Sequence, residues 1–272
     1  MKELHLTKVQ HDKKVGHKVD ELIANVTEDT LFVEDGVVIG FYIADLSKEY
    51  PKASKLAEIA DKELRTDRVP KTEMSRGPQG NKKQKLQRKK EGKNLVTQYS
   101  TILGGVPPKP HMRRDYPTIS SVHSVATAKN FVKAMILLAK ESESIIRDIM
   151  PLQYELQKKL IASNCPEKYR LSDLFTSSIS NYNISADYHI DKANLKDCVN
   201  VIIAKRKDST GGNTTVPDYN ATVDSSDGSM LVYPAWRNLH GVTPIKETAK
   251  GGYRNTLVFY PLGSFKKYVG KE

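Results

Sequence analysis

The stretch from Leu174 onward constrains the fold more than any other part of the chain, because closely spaced turns cut it into short extended runs. Residues 199–205, 214–216, 229–233, 240–242 and 253–260 are rich in the β-branched and aromatic side chains that suit strands. Thr210-Gly211-Gly212-Asn213 and Ser225-Ser226-Asp227-Gly228 carry turn residues between them. Residues 176–188 are polar and aromatic with no helical period. Many short strands at this spacing predict two packed antiparallel sheets, a β sandwich or jelly roll.

The earlier part of the chain supplies other elements. Residues 30–33 and 37–43 are apolar runs joined through Glu34-Asp35-Gly36, and an Asp-Gly pair in that setting predicts a hairpin. Residues 54–64 place Leu56, Ile59, Ala60 and Leu64 on one helical face. Residues 126–139 repeat Phe131, Met135 and Leu138 at helical spacing, and residues 144–162 continue the pattern with a break or new first turn at Pro151. These helices are expected to cover one face of a sheet, which makes the class α+β. The chain divides into an N-terminal extension, 1–120, and a helix-plus-strand core, 121–272, expected to pack as one compact domain.

Charge is distributed unevenly. Lys and Arg number 43 against 32 Asp and Glu, a net +11, and such a surplus favours polyanionic partners such as nucleic acid. Residues 62–93 hold twelve basic and four acidic residues, so this segment carries +8 of the total. A run of this kind fits a solvated loop; it also fits a loop that grips phosphates, with Arg76, Lys82 and Lys83 as contacts. A second basic knot, Lys109, His111, Arg113 and Arg114, is bracketed by prolines at 107, 108, 110 and 117. Cys165 and Cys198 show no paired spacing and are read as reduced thiols. No apolar run is long enough to span a membrane, and residues 1–20 are polar, so a cytoplasmic location is expected, or a nucleoid or nuclear one if the target is DNA.

The candidate site lies in the strand-rich part. In His189-Ile190-Asp191 an extended backbone points both chelating side chains to the same side. His240 on a neighbouring strand would complete a two-His, one-carboxylate face. That ligand set leaves metal positions open and suits non-haem Fe(II) oxygenases. Each residue alone is a weak signal, since His189 fits a core or surface role and His240 a turn. Their order carries more: the triplet, about fifty residues of short strands, a histidine, then Arg254 inside an apolar strand. A buried arginine is costly without a partner, and a bidentate carboxylate removes that cost. The remaining histidines, at 5, 11, 17, 111 and 123, have no such setting and are read as surface residues.

With these residues in place, the C-terminal part resembles the 2-oxoglutarate/Fe(II)-dependent dioxygenases, and among them most the TET/JBP group of DNA 5-methylpyrimidine dioxygenases. The matching elements are His189-Ile190-Asp191, Gly211-Gly212 with Val216-Pro217-Asp218-Tyr219, Asp227-Gly228-Ser229-Met230-Leu231, His240-Gly241-Val242-Thr243-Pro244 and Arg254-Asn255-Thr256, within residues 174–262. The resemblance implies a double-stranded β-helix core with supporting N-terminal helices. It implies Fe(II), 2-oxoglutarate and O2, with His189, Asp191 and His240 as iron ligands and Arg254 as partner of the far carboxylate of 2-oxoglutarate. Thr256 stands where the superfamily often has serine, and keeps the hydroxyl. Asn181, one strand before the triplet, is a further candidate cosubstrate contact. Arg254 follows His240 by fourteen residues, a few more than usual, with residues 246–252 as the expected inserted loop.

On this reading the reaction couples decarboxylation of 2-oxoglutarate to hydroxylation of a methylated base in DNA, 5-methylcytosine before thymine. A duplex base reaches a recessed metal only by leaving the stack. The basic segments and Arg113-Arg114 would grip the backbone, and Trp236 would either stack on the base or pack beside the cavity mouth. Two other readings use the same residues: a prolyl-type protein hydroxylase or small-molecule or nucleoside hydroxylase, and an inactive barrel that only binds nucleic acid.

Overall fold

The computed structural model describes residues 1–73, 97–108 and 114–270. The expected hairpin is present as β2 (Thr30–Glu34) and β3 (Val37–Ile43), preceded by a strand the sequence did not announce, β1 (Lys2–His5), parallel to β2. Helix α1 (Leu46–Glu49) is capped by the Asp45 carboxylate, and α2 (Pro51–Leu64) starts on a proline, whose missing N–H costs nothing at that position. Strands β4 (Thr72–Glu73), β5 (Tyr99–Val106) and β6 (Thr118–Ile119) follow. Then come α3 (Lys129–Ile149) and α4 (Pro151–Asn164), split at Pro151 as its missing donor requires. Residues 126–128 form a 3-10 turn ahead of α3 rather than its first turn.

The strand-rich part contains β7 (Ser177–Tyr182), β8 (Ala186–His189), β9 (Asn200–Lys207), β10 (Ser209–Gly211), β11 (Thr214–Val216), β12 (Ala221–Val223), β13 (Met230–Tyr233), β14 (His240–Val242), β15 (Ile245–Glu247) and β16 (Tyr253–Tyr260). Among the described residues they build a large sheet in the order β1-β2-β3-β13-β9-β16-β7-β5-β4, with β6 added to β5. A smaller antiparallel sheet runs β12-β11-β14-β8. The expected inserted loop at 246–252 is partly a strand, since β15 pairs with β10 in a two-stranded ribbon.

The side-chain period of two divides the large sheet between two tasks. Val201, Ile203, Met230, Val232, Leu257 and Phe259 join α2 and α3 in the main apolar core. The opposite face, with Asn181 and Ile179 on β7, Ile202 on β9, and Arg254, Thr256, Val258 and Tyr260 on β16, lines a cavity. Thr214, Ala186, His189, His240 and Val242 of the smaller sheet close its other side. Two opposed sheets around a central cavity, antiparallel apart from the β1–β2 pair, with helices outside the larger one, are a double-stranded β-helix of the α+β class, as expected.

Candidate active site

Pairing of β14 with β8 sets His240 directly opposite His189, and residues facing each other across antiparallel strands project to the same side. Their ring centroids are 4.3 Å apart. The chain leaves β8 just after His189, and the Asp191 N–H bonds to the Ala235 carbonyl at 3.1 Å, which turns the carboxylate toward the histidines. One potential ligand atom from each of His189, Asp191 and His240 lies within 4.8 Å of the other two.

The surroundings prepare each group to hold a metal. His189 Nδ1 lies 2.7 Å from the Asp187 carbonyl, and His240 Nδ1 lies 2.9 Å from the Asn238 carbonyl. A carbonyl only accepts, so Nδ1 of each ring carries the proton and Nε2 presents its lone pair. Burial, then the neighbouring His189, hold the His240 imidazole below the usual histidine range, which favours the neutral, ligating form. Asn200 Nδ2 donates to Asp191 Oδ2 at 3.1 Å, while Oδ1 faces His189 Nε2 at 3.7 Å. One carboxylate oxygen is thus oriented by the protein and the other is left for a ligand. Asn194 Nδ2 in turn donates to Asn200 Oδ1 at 3.0 Å. Tyr233 meets His240 edge-on, and burial raises the Tyr233 and Tyr260 hydroxyls above the usual tyrosine range.

The far end of the same cavity, about 350 Å³ in volume, is built around Arg254. Arg254 is 2% exposed and forms no ion pair among the described residues. Its Nε donates to Ser225 Oγ at 3.0 Å, and its backbone N–H to Asn183 Oδ1 at 2.9 Å. Burial, then the charge of Arg206, lower its pKa to about 9. Gly212 makes room for this side chain: its φ is +70°, and a Cβ there would lie 2.9 Å from Arg254 Cδ and Nε. A buried guanidinium that no protein carboxylate neutralises fits an anionic ligand group. Thr256 and Asn181 line the cavity between this end and the triad.

An N-terminal arm backs the two histidine strands. Gly16 N–H donates to the Tyr188 carbonyl at 2.7 Å and Tyr188 N–H to the His17 carbonyl at 2.9 Å, which covers the open edge of β8. Val19, Tyr188 and Leu239 form a small apolar cluster there. A Cβ on Gly241 would come 2.4 Å from Val19, so glycine lets the arm cross β14 closely. His11 Nε2 meets Asp218 Oδ1 at 2.8 Å, and Asn238 Nδ2 donates to Asp218 Oδ2 at 3.0 Å, tying the arm to the loop that precedes His240.

The structure therefore brings His189, Asp191, His240, Arg254, Thr256 and Asn181 to one cavity. Trp236 is half-buried in the loop before β14, its indole N–H without a partner among the described residues, and it does not line that cavity. Arg114 bonds to Thr118 Oγ1. Arg76, Lys82, Lys83 and Arg113 lie outside the described residues. His123 is not a surface residue: it is partly buried, and its Nε2 accepts the Gly104 N–H at 2.9 Å. Sequence reasoning missed Asn200, Asn194 and Ser225, whose roles depend on partners from other strands. Ser225 sits in a turn recognised only as a turn.

No family model matches the chain, and no curated protein matches it by sequence. Solved structures do match. NgTET1 in complex with 5mC DNA is 14% identical, with a TM-score of 0.54 over 94% of this chain and 84% of that one. An oxidoreductase of the 2OG-Fe(II) oxygenase family from Burkholderia pseudomallei is 11% identical, with a TM-score of 0.41 over 80% of this chain and 83% of that one. The first of these likenesses extends over nearly the whole chain and shows that it shares the double-stranded β-helix fold of NgTET1.

Proposed function

We propose that this protein is an Fe(II)- and 2-oxoglutarate-dependent dioxygenase that oxidises the 5-methyl group of a pyrimidine in DNA, with 5-methylcytosine the favoured reading and thymine the alternative. One observation carries the enzymatic part: a buried Arg254, with no carboxylate partner among the described residues, shares a cavity with two imidazoles and a carboxylate whose outer atoms the protein already holds. The donor set fits Fe(II), and the guanidinium fits the far carboxylate of a 2-oxo acid. His189, Asp191 and His240 would hold the metal. Arg254, with Thr256 and Asn181 nearby, would bind and orient 2-oxoglutarate. Fe(II) held by these residues would supply O2 activation coupled to conversion of 2-oxoglutarate to succinate and CO2, with hydroxylation of the substrate C–H bond. Ile179, Ile202, Val242 and Val258 form an apolar wall of that space, which would exclude water once substrate fills it.

The substrate class rests on the net charge of +11, on the TET/JBP-like motifs, and on the shared fold with a protein solved on 5mC DNA. The decisive experiment is mass spectrometry of nucleosides from methylated and unmethylated DNA incubated with the protein, Fe(II) and 2-oxoglutarate, with Asp191→Ala as control. The expected product is 5-hydroxymethylcytosine from methylated DNA only. Succinate release on free nucleosides or peptides, with no change in DNA, would move the assignment to another hydroxylase.

A further inference from the structure

We propose that a lysine-bearing lip at the triad end of the cavity, formed by Lys192, Lys196, Lys266 and Lys267, is the surface on which the nucleic-acid backbone lies. The inference rests on the DNA reading above and locates its binding face. Exposure shows which end of the cavity is open: the His189 and Asp191 side chains are 39% and 35% exposed, whereas Arg254 is 2% exposed. A substrate therefore arrives past the triad.

Two chain segments build that opening, and they are bonded to each other. Leu195 N–H donates to the Pro261 carbonyl at 2.8 Å, and Gly263 N–H to the Ala193 carbonyl at 2.9 Å. Ala193, Asn194 and Leu262 line the cavity itself, so the residues beside them form its rim. Lys192 and Lys196 extend from the first segment. Lys266 and Lys267 stand on the 3-10 helix Gly263–Tyr268 that continues the second, and together with Pro107 and Pro108 they line an adjoining groove of about 360 Å³. The helix is anchored, because Phe265 is fully buried and stacks on Tyr169 at 5.9 Å. The four lysines are exposed, and none forms an ion pair among the described residues. Cations held on a fixed scaffold with no ion-pair partner among the described residues suit a row of phosphates.

The segment 62–93 carries the stronger charge signal in the sequence. Its described flank ends on β4, whose Glu73 pairs with Tyr99, Tyr99 with Tyr182, and Tyr182 with Asn255. That is the Arg254 end of β16, six residues or about 20 Å along the strand from Tyr260 at roughly 3.3 Å per residue.

The test uses the full chain loaded with Fe(II) and 2-oxoglutarate under anaerobic conditions, and a fluorescein-labelled 5-methylcytosine duplex followed by anisotropy across a salt series. The paired variant Lys266→Gln/Lys267→Gln is expected to weaken binding about tenfold and to reduce the salt slope by nearly two, at about 0.9 per phosphate contact. Lys133→Gln/Lys140→Gln, an equal charge change on the solvent side of α3, is expected to leave both close to wild type. Circular dichroism checks that both variants are folded. Equal losses in the two paired variants, or no loss at Lys266 and Lys267, would overturn the inference while leaving DNA binding intact. If wild type binds no DNA even at low salt, the substrate reading and this inference fall together.

Discussion

The two faces of β16 differ in chemistry although one backbone carries both and residues on each are buried. Toward the helices stand Leu257 and Phe259, fully buried in apolar packing, and Asn255, whose Nδ2 donates to Asp61 on α2 at 3.1 Å. Toward the cavity stand Arg254, Thr256, Val258 and Tyr260. The polar contact of the helix face is made to the protein itself, although Asn255 Oδ1 is buried without a hydrogen-bond partner among the described residues. The cavity face holds a buried charge, Arg254, without a carboxylate partner among the described residues. The difference teaches that the first face stabilises the fold, while the second carries a cost that only a ligand offsets.

Mutations on the two faces should therefore separate stability from activity. The largest effect is expected for Asp191→Ala: 2-oxoglutarate turnover should fall well beyond the roughly 100-fold that losing an outer partner of a metal ligand costs, with little change in melting temperature of the metal-free protein. On the other face, Leu257→Ala should cost about 2–5 kcal/mol by leaving a cavity in the core, measured by denaturant unfolding, while the folded fraction keeps its cosubstrate affinity. Arg254→Met sharpens the contrast. It should weaken 2-oxoglutarate binding by about 2–5 kcal/mol, or at least about 30-fold, and raise the stability of the ligand-free protein, because a buried unpaired charge is removed. Equal losses of stability at Leu257 and Arg254 would break the comparison.

Smaller effects test the outer partners. Asn200→Ala leaves Asp191 Oδ2 without its 3.1 Å donor and should lower metal affinity about 10–100-fold, read by calorimetric titration. The smallest effect concerns His123, far from the triad in sequence and outside the cavity lining. Burial lowers its pKa from the ordinary 6.5, and its Nε2 must stay unprotonated to accept the Gly104 N–H. The folded chain then binds fewer protons here than the unfolded chain below about pH 6.5. Stability from this group is present above that pH and is lost as pH falls. Melting curves between pH 7 and 5 should show a shallower decline in His123→Gln than in wild type.

The sequence made the triad and Arg254 legible because their signals are local: His189 and Asp191 alternate on one backbone, and a charged residue in an apolar strand stands out. The helices and the β2–β3 hairpin were legible through periodicity and the Asp-Gly turn. Strand β5, with Gly104 and Gly105 inside Tyr99–Val106, was not, because its place in the sheet comes from pairing with β7 rather than from strand propensity. The bonds to Asp191 from Asn200 and to Arg254 from Ser225 join residues from separate turns and strands, and no spacing rule announces them. His123 was read as a surface residue because nothing nearby in sequence reveals that it receives the Gly104 N–H. Charge drew attention to residues 62–93, of which 74–93 lie outside the described residues.

The most direct test of the central claim is an anaerobic calorimetric titration of the metal-stripped chain, first with Fe(II) and then with 2-oxoglutarate. The account predicts one metal per chain, 2-oxoglutarate binding only after the metal is present, loss of both events in Asp191→Ala, and loss of the second alone in Arg254→Met. Metal binding that survives in Asp191→Ala, or 2-oxoglutarate binding unchanged in Arg254→Met, would contradict it.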